Sequence, residues 1–138
     1  MDTKQISVFL ENTTGRLSKV TQTLANGGIN LRAISIADTA DFGILRLIVD
    51  KTDEAIKALS NAGFTTKLTD VAAVEIEDVP GSLARLMEIF QLSNVNIEYL
   101  YASLESQKGK AVVIFKLQDH AMGMQIIKDN GLVIADKF

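Results

Sequence analysis

Two polar turns in this sequence have groups suited to binding a molecule that carries both a negative and a positive charge. One reads NTTGRL at residues 12–17 and the other reads DVPGSL at residues 78–83. Each precedes a segment with apolar residues at helical spacing, so each should lie at a helix start. Backbone N–H groups and the positive end of the helix dipole attract a carboxylate there. Asn12 and Asp78 add short oxygen acceptors for an ammonium group.

An asparagine follows each predicted helix and opens a predicted strand. Asn30 comes after NGGI, and Asn96 comes after SNV. A side-chain amide offers both a donor and an acceptor, and asparagine is depleted in strands, so both residues are ligand-binding candidates. Structural roles compete with this interpretation. Asn12 and Asp78 also suit helix caps, Asn30 suits the turn after two glycines, and a first-turn Arg16 is typically solvated.

Residue types that commonly catalyse reactions are scarce. The chain has no cysteine, which excludes thiolate nucleophiles and zinc–thiolate sites, and His120 is its only histidine. A lone histidine in QDHAMG is typical of a solvated residue at a helix start, next to Asp119 as a possible cap. Motifs of serine hydrolases, zinc proteases, phosphate loops and dinucleotide sites are missing. We therefore predict that the protein is not an enzyme and needs no metal or cofactor.

The polar turns belong to an internal repeat that covers almost the whole chain. Val8, Gly15 and Asn30 recur 66 positions later as Val74, Gly81 and Asn96. Two additional residues in SLESQKGK raise the offset to 68 for the remainder, at a place where a hairpin would tolerate them. We predict two copies of one unit, at residues 1–69 and 70–138.

Each copy has the periodicity of a strand, a helix, two strands, a helix and a strand. QISVFL and VAAVEI alternate as strands, and amphipathic helices follow. Hairpins are predicted from residues 30–38 with 43–50, and from 96–104 with 110–118. Second helices in TDEAIKALSNAG and DHAMGMQIIKDNG precede closing strands in FTTKLTD and LVIADKF. The order predicts an α+β fold of two ferredoxin-like βαββαβ units, with antiparallel sheets and helices on one face.

The sequence resembles the ACT domain family. The resemblance rests on the D-x-P-G or N-x-x-G turn before a leucine-led helix, on the G-I-N-L and N-V-N-I stretches, and on the repeat. It implies an amino-acid ligand held where two units pack, between the first turn of one and the second strand of another. Carried over by position, the implied ligand-binding residues are Asn12, Thr13, Thr14, Gly15, Arg16, Leu17 and Asn30, and Asp78, Val79, Pro80, Gly81, Ser82, Leu83 and Asn96.

The two copies depart differently from the family pattern. Thr14 stands where the family favours proline, whereas the second copy has Pro80 but carries Asp78 in place of asparagine. Two non-equivalent sites, or a single working site, are both compatible with this. Asp78 could pair with a ligand ammonium or repel its carboxylate.

Composition limits the possible partners. The net charge is −3 with no basic face, which argues against nucleic acid, and no apolar run is long enough for a membrane span. Without cysteines or a secretory signal, we expect a cytoplasmic protein. Strands GILRLIVD and AVVIFKL are apolar on both faces, which predicts cover from the sister copy or from a second chain in a homodimer. The expected function is a non-catalytic amino-acid sensor. The alternative is a regulatory subunit that docks on an enzyme of amino-acid metabolism without a ligand of its own.

Overall fold

The computed structural model describes residues 3–11, 13–38, 42–104 and 106–135. The described residues form two compact units, which we name unit one (Lys4–Thr69) and unit two (Thr3 and the described residues from Asp70 onward). The elements in chain order are β1 (Thr3–Glu11), α1 (Arg16–Asn26), β2 (Leu31–Asp38), β3 (Phe42–Val49), α2 (Thr52–Asn61), β4 (Thr65–Glu77), α3 (Ser82–Leu92), β5 (Ile97–Ala102), β6 (Lys110–Leu117), α4 (His120–Asp129) and β7 (Val133–Ile134).

Unit one packs both of its helices against one face of an antiparallel sheet. β3 lies between β1 and β2, with Val8 opposite Leu45 in the first pairing. Alternation along β1 directs one set of side chains toward the helices. The core joins strand residues to one stripe from each helix: Ile6, Val8, Leu10, Leu45 and Leu47 from the strands, Val20 and Leu24 from α1, and Ala55 and Leu59 from α2.

Unit two repeats this arrangement. β6 pairs antiparallel with β4 and β5, and β7 pairs antiparallel with β4. Phe90 of α3 and Phe115 of β6 meet edge to face in the core, with ring centroids 5.3 Å apart. On β5, Tyr99 and Tyr101 lie on the same side of the strand and stack at 6.5 Å. The predicted α+β fold of two βαββαβ units is confirmed.

Two closing strands differ from their predictions. FTTKLTD and VAAVEI were predicted as separate strands, but Thr65–Glu77 is one continuous strand, and the boundary between the units falls inside it. The segment contains no glycine or proline that would interrupt an extended backbone. The predicted strand in LVIADKF is reduced to Val133–Ile134, and the last three residues lie outside the described ranges.

Candidate functional site

Both polar turns lead into their helices through a left-handed glycine. Gly15 precedes α1 with φ 87° and ψ −6°, and Gly81 precedes α3 with φ 89° and ψ −11°. Glycine adopts this conformation without the steric cost that a Cβ imposes. The repeated glycine is therefore a backbone requirement, and it gives the two turns the same geometry at the helix entrance.

The structure contradicts the interpretation of Asp78 as a helix cap. Gly81 occupies the N-cap position of α3, and no side chain caps that helix. The backbone N–H of Asp78 instead donates to the carbonyl of Gly109 at 2.9 Å, which ties the turn to the hairpin between β5 and β6. Its exposed carboxylate has no partner among the described residues. Asn12, the equivalent residue in unit one, lies outside the described residues.

Each helix start presents backbone N–H donors to solvent. The N–H of Arg16 bonds to the carbonyl of Thr13 at 3.4 Å, and the N–H of Ser82 bonds to the carbonyl of Val79 at 3.3 Å. The next two N–H groups in each helix have no acceptor within the described parts of the chain: Leu17 and Ser18 in α1, and Leu83 and Ala84 in α3. Unpaired donors at the positive end of a helix can hold a carboxylate.

The other predicted turn residues surround these donors at the surface. Thr13, Thr14 and Gly15 are exposed in unit one, and Val79, Pro80 and Gly81 are exposed in unit two. The side chains of Leu17 and Leu83 are 42% and 39% exposed, and they supply apolar area beside the donors. Ser82 differs from its neighbours because it is only 9% exposed. The predicted turn residues are thus brought together at each helix start.

Arg16 is not the solvated residue that its position suggests. Its guanidinium lies over the ring of Phe64, 4.7 Å from the centroid, and Lys19 approaches the same ring at 5.9 Å. The Nε atom is buried and has no hydrogen-bond partner within the described ranges. A cation over an aromatic face is attracted by the ring quadrupole. This contact anchors Arg16 to the segment that follows α2, three residues beyond the end of that helix.

The two asparagines lie just before their strands, with their side chains free to bind. The N–H of Asn30 donates to a carboxylate oxygen of Asp50 at 2.9 Å, and its carbonyl accepts from the N–H of Asp50. The carbonyl of Asn96 accepts from the N–H of Gln118 at 3.0 Å. Both side chains are exposed, and neither has a partner among the residues that the structure describes. Local bonds therefore use their backbones and leave their amides available.

Within one unit, the turn and the asparagine are not brought together. An 11-residue helix separates Gly15 from Asn30 and likewise Gly81 from Asn96. At a rise of about 1.5 Å per residue, such a helix is roughly 16 Å long, which exceeds the span of an amino acid. A ligand that touches both features of one repeat is therefore ruled out. A shared ligand between two units stays a prediction.

Unit two contains two cavities that the sequence analysis missed. One, of about 490 Å³, lies at the end of α3 and is lined by Asn96 with two further amides, Gln91 and Asn94. Asn94 has φ 57°, and the repeat pairs it with Gly28, which has φ 67°. The second cavity, of about 240 Å³, lies at the start of α3 beside Ser82. In the sequence, the only signal near the first cavity was that Asn94 stands where the first copy has Gly28.

The lone histidine lies at the start of α4. Asp119 caps α4, because its carboxylate accepts from the N–H of Met122 at 3.1 Å. His120 follows as the first residue of that helix, and both of its ring nitrogens are buried, so the expectation of a solvated side chain was wrong. No group of three potential metal ligands occurs in the described ranges. None of the described helices has the length and apolar character needed to cross a membrane.

Comparison with known proteins decides the family. The profile described as "ACT domain pair" matches residues 1–137. The chain belongs to the ACT domain family. A crystal structure of protein BT0572 from Bacteroides thetaiotaomicron is 38% identical, with a TM-score of 0.91, over 98% of this chain and 92% of that one. The two chains therefore share one fold over nearly their whole lengths.

More distant structures share the fold of this ACT pair. The regulatory subunit of aspartate kinase from Thermus thermophilus, in a ligand-free form, is 22% identical with a TM-score of 0.67, over 93% of this chain and 91% of that one. The corresponding subunit from Thermus flavus is 21% identical with a TM-score of 0.63, over 94% and 92%. No protein of curated function matches the chain in sequence.

Proposed function

We propose that this ACT pair is a non-catalytic regulatory protein that binds a free amino acid at the turns before α1 and α3. The observation that carries the proposal is the pair of helix starts, each entered through a left-handed glycine and each with two backbone N–H groups that have no acceptor among the described residues. A carboxylate satisfies these donors and interacts favourably with the helix dipole. In unit two, the unpaired carboxylate of Asp78 is available to the ligand ammonium.

Membership of the ACT family supports the choice of an amino acid over other small carboxylates. Two structural relatives are regulatory subunits of aspartate kinase, an enzyme of amino-acid metabolism. Their similarity to this chain is one of fold, so it supports a regulatory role without indicating which amino acid binds. Binding would regulate by favouring the conformation that has the higher affinity for the ligand.

A thermal-shift screen of the full chain against the twenty amino acids tests the proposal. A ligand at 100 times its Kd should stabilise the folded protein by about 2.7 kcal/mol, which is a readily measured rise in Tm. Mass spectrometry of small molecules retained through purification gives an independent identification. If no amino acid raises the Tm at millimolar concentration and none is retained, the proposal is wrong.

A variant of Asp78 tests the role of its carboxylate. Asp78→Ala should weaken binding of the amino acid about fivefold, because an exposed charge pair contributes up to about 1 kcal/mol. Titration calorimetry measures the change. Asp53→Ala is the matched control, since it removes an exposed acid from the first turn of α2, which is part of neither polar turn. Equal affinities in the two variants would exclude an ammonium contact by Asp78.

The second candidate is a regulatory subunit that docks on an enzyme without a ligand of its own. It is favoured by the similar lengths of this chain and the aspartate kinase regulatory subunits. A stoichiometric complex with an enzyme of amino-acid metabolism, with an altered kcat or KM and no response to amino acids, would favour this candidate over the sensor. The predicted homodimer is a separate hypothesis, which light scattering on the purified chain decides.

A further inference from the structure

The first helix of each unit ends in the same backbone turn, but the side chains at that turn differ. The N–H of Gly28 donates to the carbonyl of Ala25 at 3.0 Å, and the N–H of Asn94 donates to the carbonyl of Gln91 at 3.1 Å. Gly28 and Asn94 are both left-handed, with φ 67° and 57°. The two pairs are therefore structural equivalents. Unit two carries a side-chain amide at both positions, whereas unit one carries none.

The conformation of Asn94 makes the exchange at its position informative. Among the described residues, Asn94 is the only non-glycine residue with a positive φ. Glycine adopts this conformation without steric cost, and asparagine tolerates it less well. Backbone geometry alone thus favours the glycine that unit one has. The side-chain amide of Asn94 has no hydrogen-bond partner within the described ranges, so it is available to a ligand.

A second difference leaves a backbone acceptor unused at this turn. In unit one, the ammonium of Lys51 donates to the carbonyl of Gly28 at 3.3 Å, so a donor from outside the helix can reach this oxygen. Asp119 holds the equivalent place in unit two, since Lys51 and Asp119 are the N-cap residues of α2 and α4. Its carboxylate accepts from the N–H of Met122 and cannot replace the ammonium. The carbonyl of Asn94 therefore has no donor among the described residues.

Gln91 and Asn94 border the cavity of about 490 Å³ at the end of α3. Small-molecule sites typically have volumes of roughly 300–1,000 Å³. Gln91 lies one helical turn after Met87, so these two side chains leave α3 on the same side. Asn96 alternates with residues that pack in the core, so its amide is directed away from α3 and we assign it no contact. None of the described residues that line the cavity is charged, and the remaining ones are apolar: Met87, Phe90, Val95 and Ile97.

The chemistry of this lining favours a flat, uncharged ligand. A zwitterion or a phosphate would find no opposite charge among the described lining residues. A primary amide presents a donor and an acceptor in one plane, which matches the edge of a nucleobase, as asparagine and glutamine do with adenine. The thioether of Met87 is suited to contact with an aromatic ring. Two amides beside an apolar wall therefore fit a nitrogen heterocycle better than an amino acid.

We propose that the cavity at the end of α3 binds an uncharged nucleobase or nucleoside. The side-chain amides of Gln91 and Asn94 bond to the donor and acceptor edge of the ring, and Met87 contacts its face. The carbonyl of Asn94 accepts from an amino or hydroxyl group of the ligand. This inference goes beyond the proposed function, because it places a ligand of another class at the opposite end of α3 from the polar turn.

Calorimetry with adenine, the four common ribonucleosides, AMP and indole tests the ligand class. Adenine or at least one nucleoside should bind once per chain. Indole is flat and of similar size but has a single donor, so it should bind at least about tenfold more weakly than the best of these ligands. AMP should bind no more tightly than adenosine, because the described lining offers no cation to its phosphate. The proposal is overturned if neither adenine nor any nucleoside binds at millimolar concentration, if indole binds equally well, or if AMP binds more tightly than adenosine.

Transplanting the residues of unit one into unit two tests the location. The double variant Gln91→Ala/Asn94→Gly installs the equivalents of Ala25 and Gly28, and both changes suit the local backbone because alanine favours a helix and glycine favours a positive φ. Affinity for the best ligand should fall at least about tenfold, because two hydrogen-bonding amides are lost. Gln125→Ala is the matched control, since it removes an exposed amide from α4 that does not line the cavity, and it should leave the affinity unchanged. Unchanged affinity in the double variant would overturn the location.

Nuclear magnetic resonance of the unaltered chain gives a readout that does not depend on any variant. Titration with the best ligand should shift the side-chain amide signals of Gln91 and Asn94, and shifts confined to other residues would place the ligand elsewhere and overturn the proposal. The outcomes also separate this inference from the proposed function. If amino acids raise the Tm but no nucleobase or nucleoside binds, this inference alone fails. If a nucleoside binds and no amino acid does, the proposed function alone fails.

Discussion

Single glycines set the backbone at both helix entrances. Gly81 has φ 89° and an added Cβ would meet no atom within 4 Å, so only the backbone conformation resists a side chain there. Gly81→Ala should therefore lower the free energy of unfolding by about 1 kcal/mol. Urea denaturation measures the loss. Gly81→Asn should lose less, because asparagine tolerates the left-handed region, and equal losses would argue against a conformational cause.

Gly123 meets a different constraint, which is close packing. A Cβ at this position in α4 would overlap Cδ1 of Leu117 and lie 3.2 Å from its Cγ, and Leu117 is fully buried. Gly123→Ala should lower the free energy of unfolding by about 1–3 kcal/mol through overpacking, although alanine favours a helix. Gly43→Ala is the control, because its Cβ would make only ordinary contacts, the nearest at 3.6 Å. If Gly123→Ala instead raises the free energy of unfolding, the side chain of Leu117 can move aside without destabilising the protein, and the prediction is wrong.

Local residue patterns were predictable, and contacts between distant residues were not. Gly15, Gly81 and the cap by Asp119 follow from residue type and the neighbouring periodicity. The contact of Arg16 with Phe64 joins residues far apart in sequence, and it depends on how α1 and α2 both pack on the sheet. The cavity beside Ser82 was missed for the same reason, because its lining joins β4, α3 and Leu132, which are far apart in sequence.

Among the described residues, α4 alone has a side-chain cap at its start. Asp119 accepts from the N–H of Met122, whereas α1, α2 and α3 have no side-chain cap among the described residues. Asp119→Ala should lower the free energy of unfolding by about 1 kcal/mol. Thermal denaturation checks this. Asp119→Asn should retain most of the stability, since asparagine caps about as well, and a comparable loss in both variants would contradict the cap as its source.

The order of the elements was predictable from periodicity, but the extent of the strands was less so. The end of a strand can be predicted from the sequence only where a turn residue, such as glycine or proline, follows the alternating residues. No glycine or proline separates Thr65 from Glu77, so the two predicted strands form one. The length of β7 was overestimated, because LVIADKF has the residue types of a strand but only Val133 and Ile134 pair with β4. The extent of pairing depends on the neighbouring strand and cannot be predicted from the segment alone.

For the whole chain, the continuity of β4 predicts the order of proteolysis. Lys67 lies inside this strand although the boundary between the units is only two residues away, whereas Lys108 is exposed in a turn. Trypsin prefers exposed turns, so cleavage after Lys108 should precede cleavage after Lys67. Mass spectrometry of early fragments distinguishes the two. Early release of residues 1–67 would contradict a strand that continues across the boundary.

The chain has also diverged between its copies, which affects how it can be observed. It contains no tryptophan and two tyrosines, and both tyrosines are stacked on β5 of unit two. Tyrosine emission from the native chain therefore originates in a single strand, and unit one contributes no tyrosine signal. A folding experiment that follows tyrosine fluorescence follows one copy of the duplication, and a tryptophan placed in unit one would be needed to give the other copy a signal.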